Sequence, residues 1–583
     1  MRKTRPWIVV TCIVCTSIPP GCGQQRVAID EIAVSKYKME LADRAAGMLM
    51  DVEAVAIPQR FEGGQAGALP LSPITVDEHT GLQTIRLSLQ EAVRRGVEHS
   101  LAAKTQSYLP AISAAAVVAA EAAFDATFFA NYSHDRLDTP INPFRITTVT
   151  RGTDIIPIPL RETNTRSTNY ALGFRKRLPT GATVQSSWQM SRVAQEPLRG
   201  EFAGGLPDTF PFRAAHDADL IFEINQPILR GMGTEVNHAE IHIAQNDRRI
   251  SQLTFKRSVI DAVASIERAY WDLFNSWENL DIRQRLLKSA EETYKKIYAR
   301  GTYDADRVQI SRAASEVHTR KADLIDARNQ LRIRADQLKV LINDPSLPLD
   351  EVIAIIPTDR PTQEHYIPDR SDAVEVAIEK RTEVGEAQLA VDNSDLRLVQ
   401  ARDALLPRLD AVVRTSINGL GDQAGSAVAQ QEDLDYVDYQ FAIEYEMPIG
   451  NRAAKAVVKA QRFDKKRTKT QLRQIRENVI FEVNTAVNQL ESFYQQLQAR
   501  KAELASRSDN LRALEERESV GTRLTPDFLE LKLDAQEDHG RAALNLVSAK
   551  IQYNNALVEL FRSKGELLQY NRITIETAPE QGR

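Results

Sequence analysis

Apolar residues recur along this chain with two distinct periods. Between about 235 and 300, Leu253, Ile260, Val263, Ile266, Tyr270, Leu273, Trp277, Leu280, Leu287, Tyr294 and Ile297 follow in steps dominated by three, four and seven. Such steps lay one apolar stripe along a helix at near-heptad spacing. A counterpart runs from about 452 to 518. At 1.5 Å per residue each predicts a helix of roughly 100 Å, longer than an ordinary globular domain houses. Shorter helices are predicted at about 86–123, 304–343, 371–406 and 526–568. Each spans roughly 55–65 Å, so two of them end to end equal one long helix. The pattern therefore predicts four rods of similar length. The fold class expected is α+β, mostly α.

The second period is two, and it falls where the helices turn around. Phe124, Ala126, Phe128, Ala130 and Tyr132 alternate with Asp125, Thr127, Phe129, Asn131 and Ser133. Leu220, Phe222 and Ile224 alternate with Ile221, Glu223 and Asn225, Leu409, Ala411 and Val413 with Arg408, Asp410, Val412 and Arg414, and Tyr439, Phe441, Ile443 and Tyr445 with Gln440, Ala442, Glu444 and Glu446. One apolar and one mostly polar face suit a barrel wall with lipid outside and water inside, or an edge sheet with one solvated face. A further pair, Tyr170-Leu172-Phe174 and Thr183 to Met190, flanks Pro179-Thr180-Gly181. The pattern alone leaves open whether this pair joins the wall.

These elements repeat. Ala92-Val93 lines up with Ala373-Val374, and Ala119-Ala120-Glu121-Ala122 with Ala401-Arg402-Asp403-Ala404. Pro227 lines up with Pro448 and Gly301 with Gly521, at a second steady separation. The step between the two separations is an insertion in the first copy, between Asn131 and Asp217, rich in Pro, Thr, Asn and Arg as exposed loops are. The organisation expected is 1–22 signal, 23–84 extension and linker, 85–343 first repeat with its insertion at about 135–216, 344–370 a connecting collar, 371–570 second repeat, and 571–583 tail.

Composition and charge narrow the function. The net charge of −5 is spread along the chain, so no basic block suggests nucleic acid. Arg2, Lys3 and Arg5 precede an apolar run from Trp7 to Ile18, which reads as an export signal. Gly21 before Cys22 resembles a lipoprotein cleavage site, although Pro19 and Pro20 depart from the usual pattern; Cys22 is the candidate for lipidation, with ordinary signal cleavage, or no cleavage at all, the alternatives. Cys12, Cys15 and Cys22 are the three cysteines, so no disulfide framework follows the signal. No later segment reads as the ~20 apolar residues of a membrane helix, so entry into a membrane would use strands. Four strands cannot close a membrane barrel alone, since about eight is the observed minimum, and open edges in lipid are forbidden. Copies of the chain must complete it, and three copies would give twelve strands and twelve rods.

Candidate chemistry is sparse. No phosphate loop, nucleophile elbow or triad spacing occurs. His238 and His242 are four apart on a helix, but without a third ligand they read as surface or structural residues. Tyr270, Trp271, Phe274 and Trp277 read as helix packing. The expectation is no enzyme, no cofactor and no metal. Asp527 and Glu530, three apart after Pro526, share one helix face. Carboxylates also favour a first helical turn for its dipole alone.

Four segments carry a family resemblance. They are Asn225-Gln226-Pro227-Ile228-Leu229-Arg230-Gly231, then Pro448-Ile449-Gly450-Asn451-Arg452 with Ala460, then Ala404-Leu405-Leu406-Pro407-Arg408-Leu409, and Ser519-Val520-Gly521-Thr522-Arg523 followed by Asp527-Phe528-Leu529-Glu530. With these segments together, in chain order and inside a duplication, the chain resembles the outer-membrane efflux proteins, the TolC family, over residues 85 to about 570. The resemblance implies a homotrimer, with a twelve-stranded barrel in outer-membrane lipid continuing into a periplasmic α-helical tunnel. It implies partners: a periplasmic adaptor (membrane fusion) protein and an inner-membrane pump, proton-driven or ATP-driven. It implies that Asp527 and Glu530 form a constriction ring, favouring cations. Arg523 matches an arginine that latches the tip closed. The family's acidic partner position falls on Arg307 here, so the latch uses Asp306 or Asp304, or is absent. Glu518 stands where a tyrosine is expected. The turns at Gly301, Gly521 and Thr522 are where adaptor tips would touch. The function expected is a passive exit duct of a tripartite efflux or type I secretion system; the alternative is a non-conducting envelope spacer.

Overall fold

The computed structural model describes residues 75–76, 83–140, 146–151, 154–159, 162–195, 214–300, 307–520 and 525–573. In chain order, β1 (Thr75–Val76) and β2 (Gln83–Leu87) precede α1 (Leu89–His99) and α2 (Leu101–Glu121). Strands β3 (Thr127–Pro140), β4 (Ile146–Arg151), β5 (Asp154–Pro159), β6 (Glu162–Arg177), β7 (Thr183–Gln195) and β8 (Ala215–Pro227) follow. Then come α3 (Thr234–Arg300), α4 (Arg307–Ile342), β9 (Ile353–Pro357), α5 (Arg370–Lys380) and α6 (Thr382–Asp403). The second copy closes with β10 (Arg408–Gly421), α7 (Ala424–Glu432), β11 (Val437–Glu446), α8 (Arg452–Ser519), α9 (Pro526–Ser563) and α10 (Leu567–Tyr570).

The two long helices form as their stripes predict, with α3 of 67 residues and α8 of 68. Val259, Val263, Ile266, Tyr270, Leu273 and Ile297 of α3 are buried, as are Val479, Val483, Ala486, Leu490 and Leu497 of α8. Full burial of side chains of this size contributes roughly 1.5–3 kcal/mol each. The four rods are present. One is α2 above α4, both packed on α3; another is α6 above α9, lying between α3 and α8.

Two helices predicted as continuous are broken. Ser100 separates α1 from α2: its N–H closes on the Gly96 carbonyl at 2.8 Å while its hydroxyl accepts from the Ala103 N–H at 3.4 Å. At Gly96 a Cβ would lie 2.2 Å from Ile266 Cδ1, so a side chain there would push α1 off α3. Arg381 breaks α5 from α6, with its N–H on Ala377 O at 3.0 Å.

A belt forms at these breaks. β9, from the stretch expected to be a collar, pairs in parallel with β2, Ile85 opposite Ile355, and β1 extends the sheet antiparallel. Tyr270 stitches this belt to α3. Its hydroxyl accepts the Thr358 and Asp359 N–H groups at 3.1 Å and sits 3.1 Å from Leu87 O and Asp359 Oδ2, either of which can take its proton. Burial raises the Tyr270 phenol well above its ordinary range. The fully buried Arg95 guanidinium joins Glu91 at 2.7 Å and Asp344 at 2.9 Å, tying α1 to the end of α4.

The structure answers one open question and corrects one expectation. First, the inserted pair β6–β7, which the residue pattern left open, lies in the sheet: one antiparallel sheet has the order β11-β10-β8-β7-β6-β3, six strands where the alternation within the repeats gave four. β4 and β5 form a separate two-stranded ladder. Secondly, helical residues Leu101–Phe124 are long and apolar enough to cross a membrane by length and composition, a span the residue pattern did not single out. Little of this stretch is buried, and α2 lies along α3 as a rod leading into β3.

Candidate functional site

Strand pairing gives the sheet two unlike faces. One row reads Ala130, Leu172, Trp188, Leu220, Ile417, Val437 across all six strands. On the opposite face, another row reads Thr127, Arg175, Gln185, Glu223, Arg414, Gln440. The pleat forces this segregation, because successive side chains point to opposite faces. The apolar face is uncovered over much of its area: Phe128, Tyr132, Phe174, Ile224, Phe441 and Ile443 are all exposed.

Both lateral edges of this slab are open. β3 and β11 each have one neighbour in the sheet, and they lead from α2 and into α8, the outer rods of the helical layer. Both rods carry uncovered apolar side chains: Leu101, Ile112 and Val118 on α2, and Val457, Phe463 and Phe481 on α8. The apolar area left open on two different edges suits a head-to-tail contact between copies, which closes into a ring when the rotation fits.

At the far end of the rods, α9 starts with Thr525 as N-cap, its Oγ1 accepting from Phe528 N–H at 3.3 Å, and Pro526 in the first turn. Phe528 and Leu529 are buried; Leu529 and Leu533 pack with Ile297 and Ala313, and Phe528 with Leu514 and Ala535. That anchoring leaves Asp527 and Glu530 exposed on the other face. They are not equivalent. Glu530 Oε1 pairs with Arg312 Nη2 of α4 at 2.9 Å, while Asp527 has no ion-pair partner among the described residues. Arg307 is exposed at the start of α4. Cys22, Gly301, Asp304, Asp306, Gly521, Thr522 and Arg523 lie outside the described residues.

Glu518 does something the sequence pattern did not suggest. Its carboxylate joins Lys532 of α9 at 2.5 Å and Lys296 of α3 at 3.5 Å, tying three helices near the tip. Burial pushes this carboxyl up, but Lys532 and Lys296 outweigh it and hold the group below its ordinary range. Lys532 is almost wholly buried, and beside it Gln536 Nε2 donates to Thr293 Oγ1 at 3.3 Å. A readable signal existed: Lys532 interrupts the apolar stripe of α9 four residues after Phe528. Arg312, by contrast, carries no mark that would single it out.

His238 packs edge-on against Phe124, with centroids 5.3 Å apart. Burial lowers the His242 pKa. Among the described residues no group of three His, Cys, Asp or Glu is placed to hold a metal.

Residues 373–566 match the family described as outer membrane efflux protein. The outer membrane protein TolC of Escherichia coli strain K12 is 23% identical over 349 residues, which cover 57% of this chain and 68% of that protein. Among solved structures, the Campylobacter jejuni CmeC outer membrane channel superposes with a TM-score of 0.57 at 14% identity, covering 82% of this chain and 86% of that one. The open state of the Neisseria gonorrhoeae MtrE outer membrane channel gives 0.56 at 16% identity, covering 88% and 98%.

Proposed function

We propose that this chain, whose residues 373–566 match the outer membrane efflux protein family, is an outer-membrane channel component and not an enzyme, and that three copies close into a passive exit duct. The observation that carries this is the pair of open edges. A sheet with an exposed apolar face and unpaired strands at both sides cannot sit in lipid alone. Copies joined β3 to β11 and α2 to α8 satisfy both layers at once. Four rods per copy then make a tunnel of twelve, continuous with the barrel.

In such a ring Asp527 and Glu530 of each copy form two acidic rings at the tip. Arg312 neutralises the Glu530 ring in part, so Asp527 supplies most of the cation preference. Arg523 with Asp306 or Asp304 latches the tip, and the turns at Gly301, Gly521 and Thr522 meet the tips of a periplasmic adaptor. Through that adaptor the duct serves an inner-membrane pump, proton-driven or ATP-driven, exporting drugs, metals or proteins.

Native mass spectrometry and single-channel recording on the purified full chain test this reading. Three copies per particle and a cation-selective conductance are expected. An intact ring that stays silent under all gating conditions would instead identify a spacer.

A further inference from the structure

The hairpin β6–β7 is an addition to the first copy of the duplication, and its construction assigns it a place. Thirteen residue pairs, from Thr165 with Gln195 to Arg177 with Thr183, join its two strands. β6 pairs with β3 from Thr127 with Arg175 to Pro140 with Glu162, and β7 pairs with β8 from Thr183 with Asn225 to Val193 with Ala215. The hairpin is thus bonded into the sheet along both flanks.

Its turn is also built rather than loose. Gly181 N–H closes on Leu178 O at 2.9 Å, and Gly181 adopts a φ of +92°, which disfavours a side chain. The turn docks onto the start of α3: Gly233 N–H donates to Thr180 O at 3.1 Å, and Arg177 Nη2 donates to Asn237 Oδ1 at 2.7 Å. Asn237 Nδ2 in turn holds the Gly231 and Gly233 carbonyls at 2.9 and 2.7 Å. A Cβ on Gly181 would lie 2.1 Å from Gly231 O.

The hairpin carries the same two faces as its neighbours. Tyr170, Leu172 and Phe174 stand on the apolar face opposite Tyr132, Ala130 and Phe128. Phe174 is 59% exposed and Phe128 58%, so the added strand is as open on that face as the strand of the repeat beside it. Arg175 and Gln185, joined at 3.0 Å, lie on the polar face.

We infer that β6 and β7 are lipid-facing strands of the membrane wall, so that three copies make an eighteen-stranded barrel where four strands per chain would make twelve. This rests on the outer-membrane ring proposed above. The geometry favours it. With strands about 4.8 Å apart and tilted about 40°, eighteen have a perimeter of roughly 110 Å. Twelve rods at 8–10 Å spacing need roughly 95–120 Å. Twelve strands at the same tilt would span about 75 Å. The resulting bore is about 36 Å across at the backbone instead of about 24 Å.

The test places single nitroxide labels on the full chain in liposomes, at Leu172→Cys and Ala171→Cys on β6 and at Phe441→Cys on β11. Unsubstituted protein labelled in parallel supplies the background from the natural cysteines. The readout is accessibility to oxygen, which partitions into lipid, against a water-soluble nickel chelate. Leu172→Cys should resemble Phe441→Cys, with an oxygen-to-nickel ratio several-fold above that of Ala171→Cys, in particles that native mass spectrometry counts as three copies. Lipid contact at 441 with water contact at 172 would overturn the inference and leave a four-strand wall. Water contact at 441 would overturn the barrel reading and this inference with it, and a copy number other than three would overturn the count of eighteen.

Discussion

Glu267 offers a perturbation whose size and sign follow from the structure. It lies on α3 with 1% of its surface exposed, and Asn571 Nδ2 donates to its carboxylate. Burial raises its pKa from 4.5 to about 7, against the smaller opposing effects of Asn571 and Arg268. A carboxyl raised in the folded state binds more protons there than in the unfolded chain. Its neighbourhood is therefore most stable near or below pH 4.5, loses stability as the pH rises towards 7, and is flat above about 8. The full effect is worth about 3 kcal/mol. Glu267→Gln keeps an oxygen for Asn571 and removes the charge. The variant should match the parent near pH 4.5 and exceed it increasingly up to pH 8. Hydrogen exchange of residues 263–271 and 567–573, corrected for the intrinsic pH dependence, measures this. At pH 8 exchange in the variant should be slower by roughly a hundred-fold, the equivalent of that energy. A difference that stays flat from pH 5 to 8, or a variant that exchanges faster at pH 8, would refute the reasoning.

Other substitutions probe the belt, the tip and the wall. Tyr270→Phe strands the Asp359 N–H group, while Thr358 N–H keeps the Leu87 carbonyl, and should speed exchange in β2 and β9 by roughly ten- to a hundred-fold, for about 1–3 kcal/mol. Glu518→Gln strands the buried Lys532 ammonium, and should destabilise the tip by about 3 kcal/mol, with Lys532→Met restoring it in the double variant. Because the Glu518 carboxyl is held low, its contribution is present above about pH 4.5 and is lost as pH falls through the folded value; protection of residues 511–520 and 525–536 should drop as the pH falls below about 4.5. Asp527→Asn should shift the reversal potential towards lower cation preference, whereas Arg312→Ala, which releases Glu530, should shift it the other way. Gly181→Ala forces a side chain against Gly231 O and should lower the yield of heat-resistant oligomer by disturbing the β6–β7 turn.

Much of the architecture was readable because it is local and periodic. The stripe through Val263, Ile266, Tyr270 and Leu273 dictates a long helix wherever the rest of the chain lies. The alternation at Phe128, Ala130 and Tyr132 dictates a two-faced strand. Duplication did the rest, since a segment seen twice in the same order is an element and not an accident. The acid pair was readable too, because Asp527 and Glu530 flank the anchoring residues Phe528 and Leu529.

Tertiary structure alone decided what depends on pairing partners far apart in the chain. Composition cannot say whether Tyr170, Leu172 and Phe174 edge a loop or fill a sheet; the answer lies in their register with Tyr132, Ala130 and Phe128. Position likewise separates Glu530 from Asp527, for only the approach of α4 brings Arg312 to one and not the other. Glu518, legible in the sequence only as a departure from an expected tyrosine, becomes a tie across three helices because Lys532 and Lys296 converge on it. Local periodicity is set by the backbone's own geometry, whereas long-range register and charge pairing exist only once the rods and strands have met.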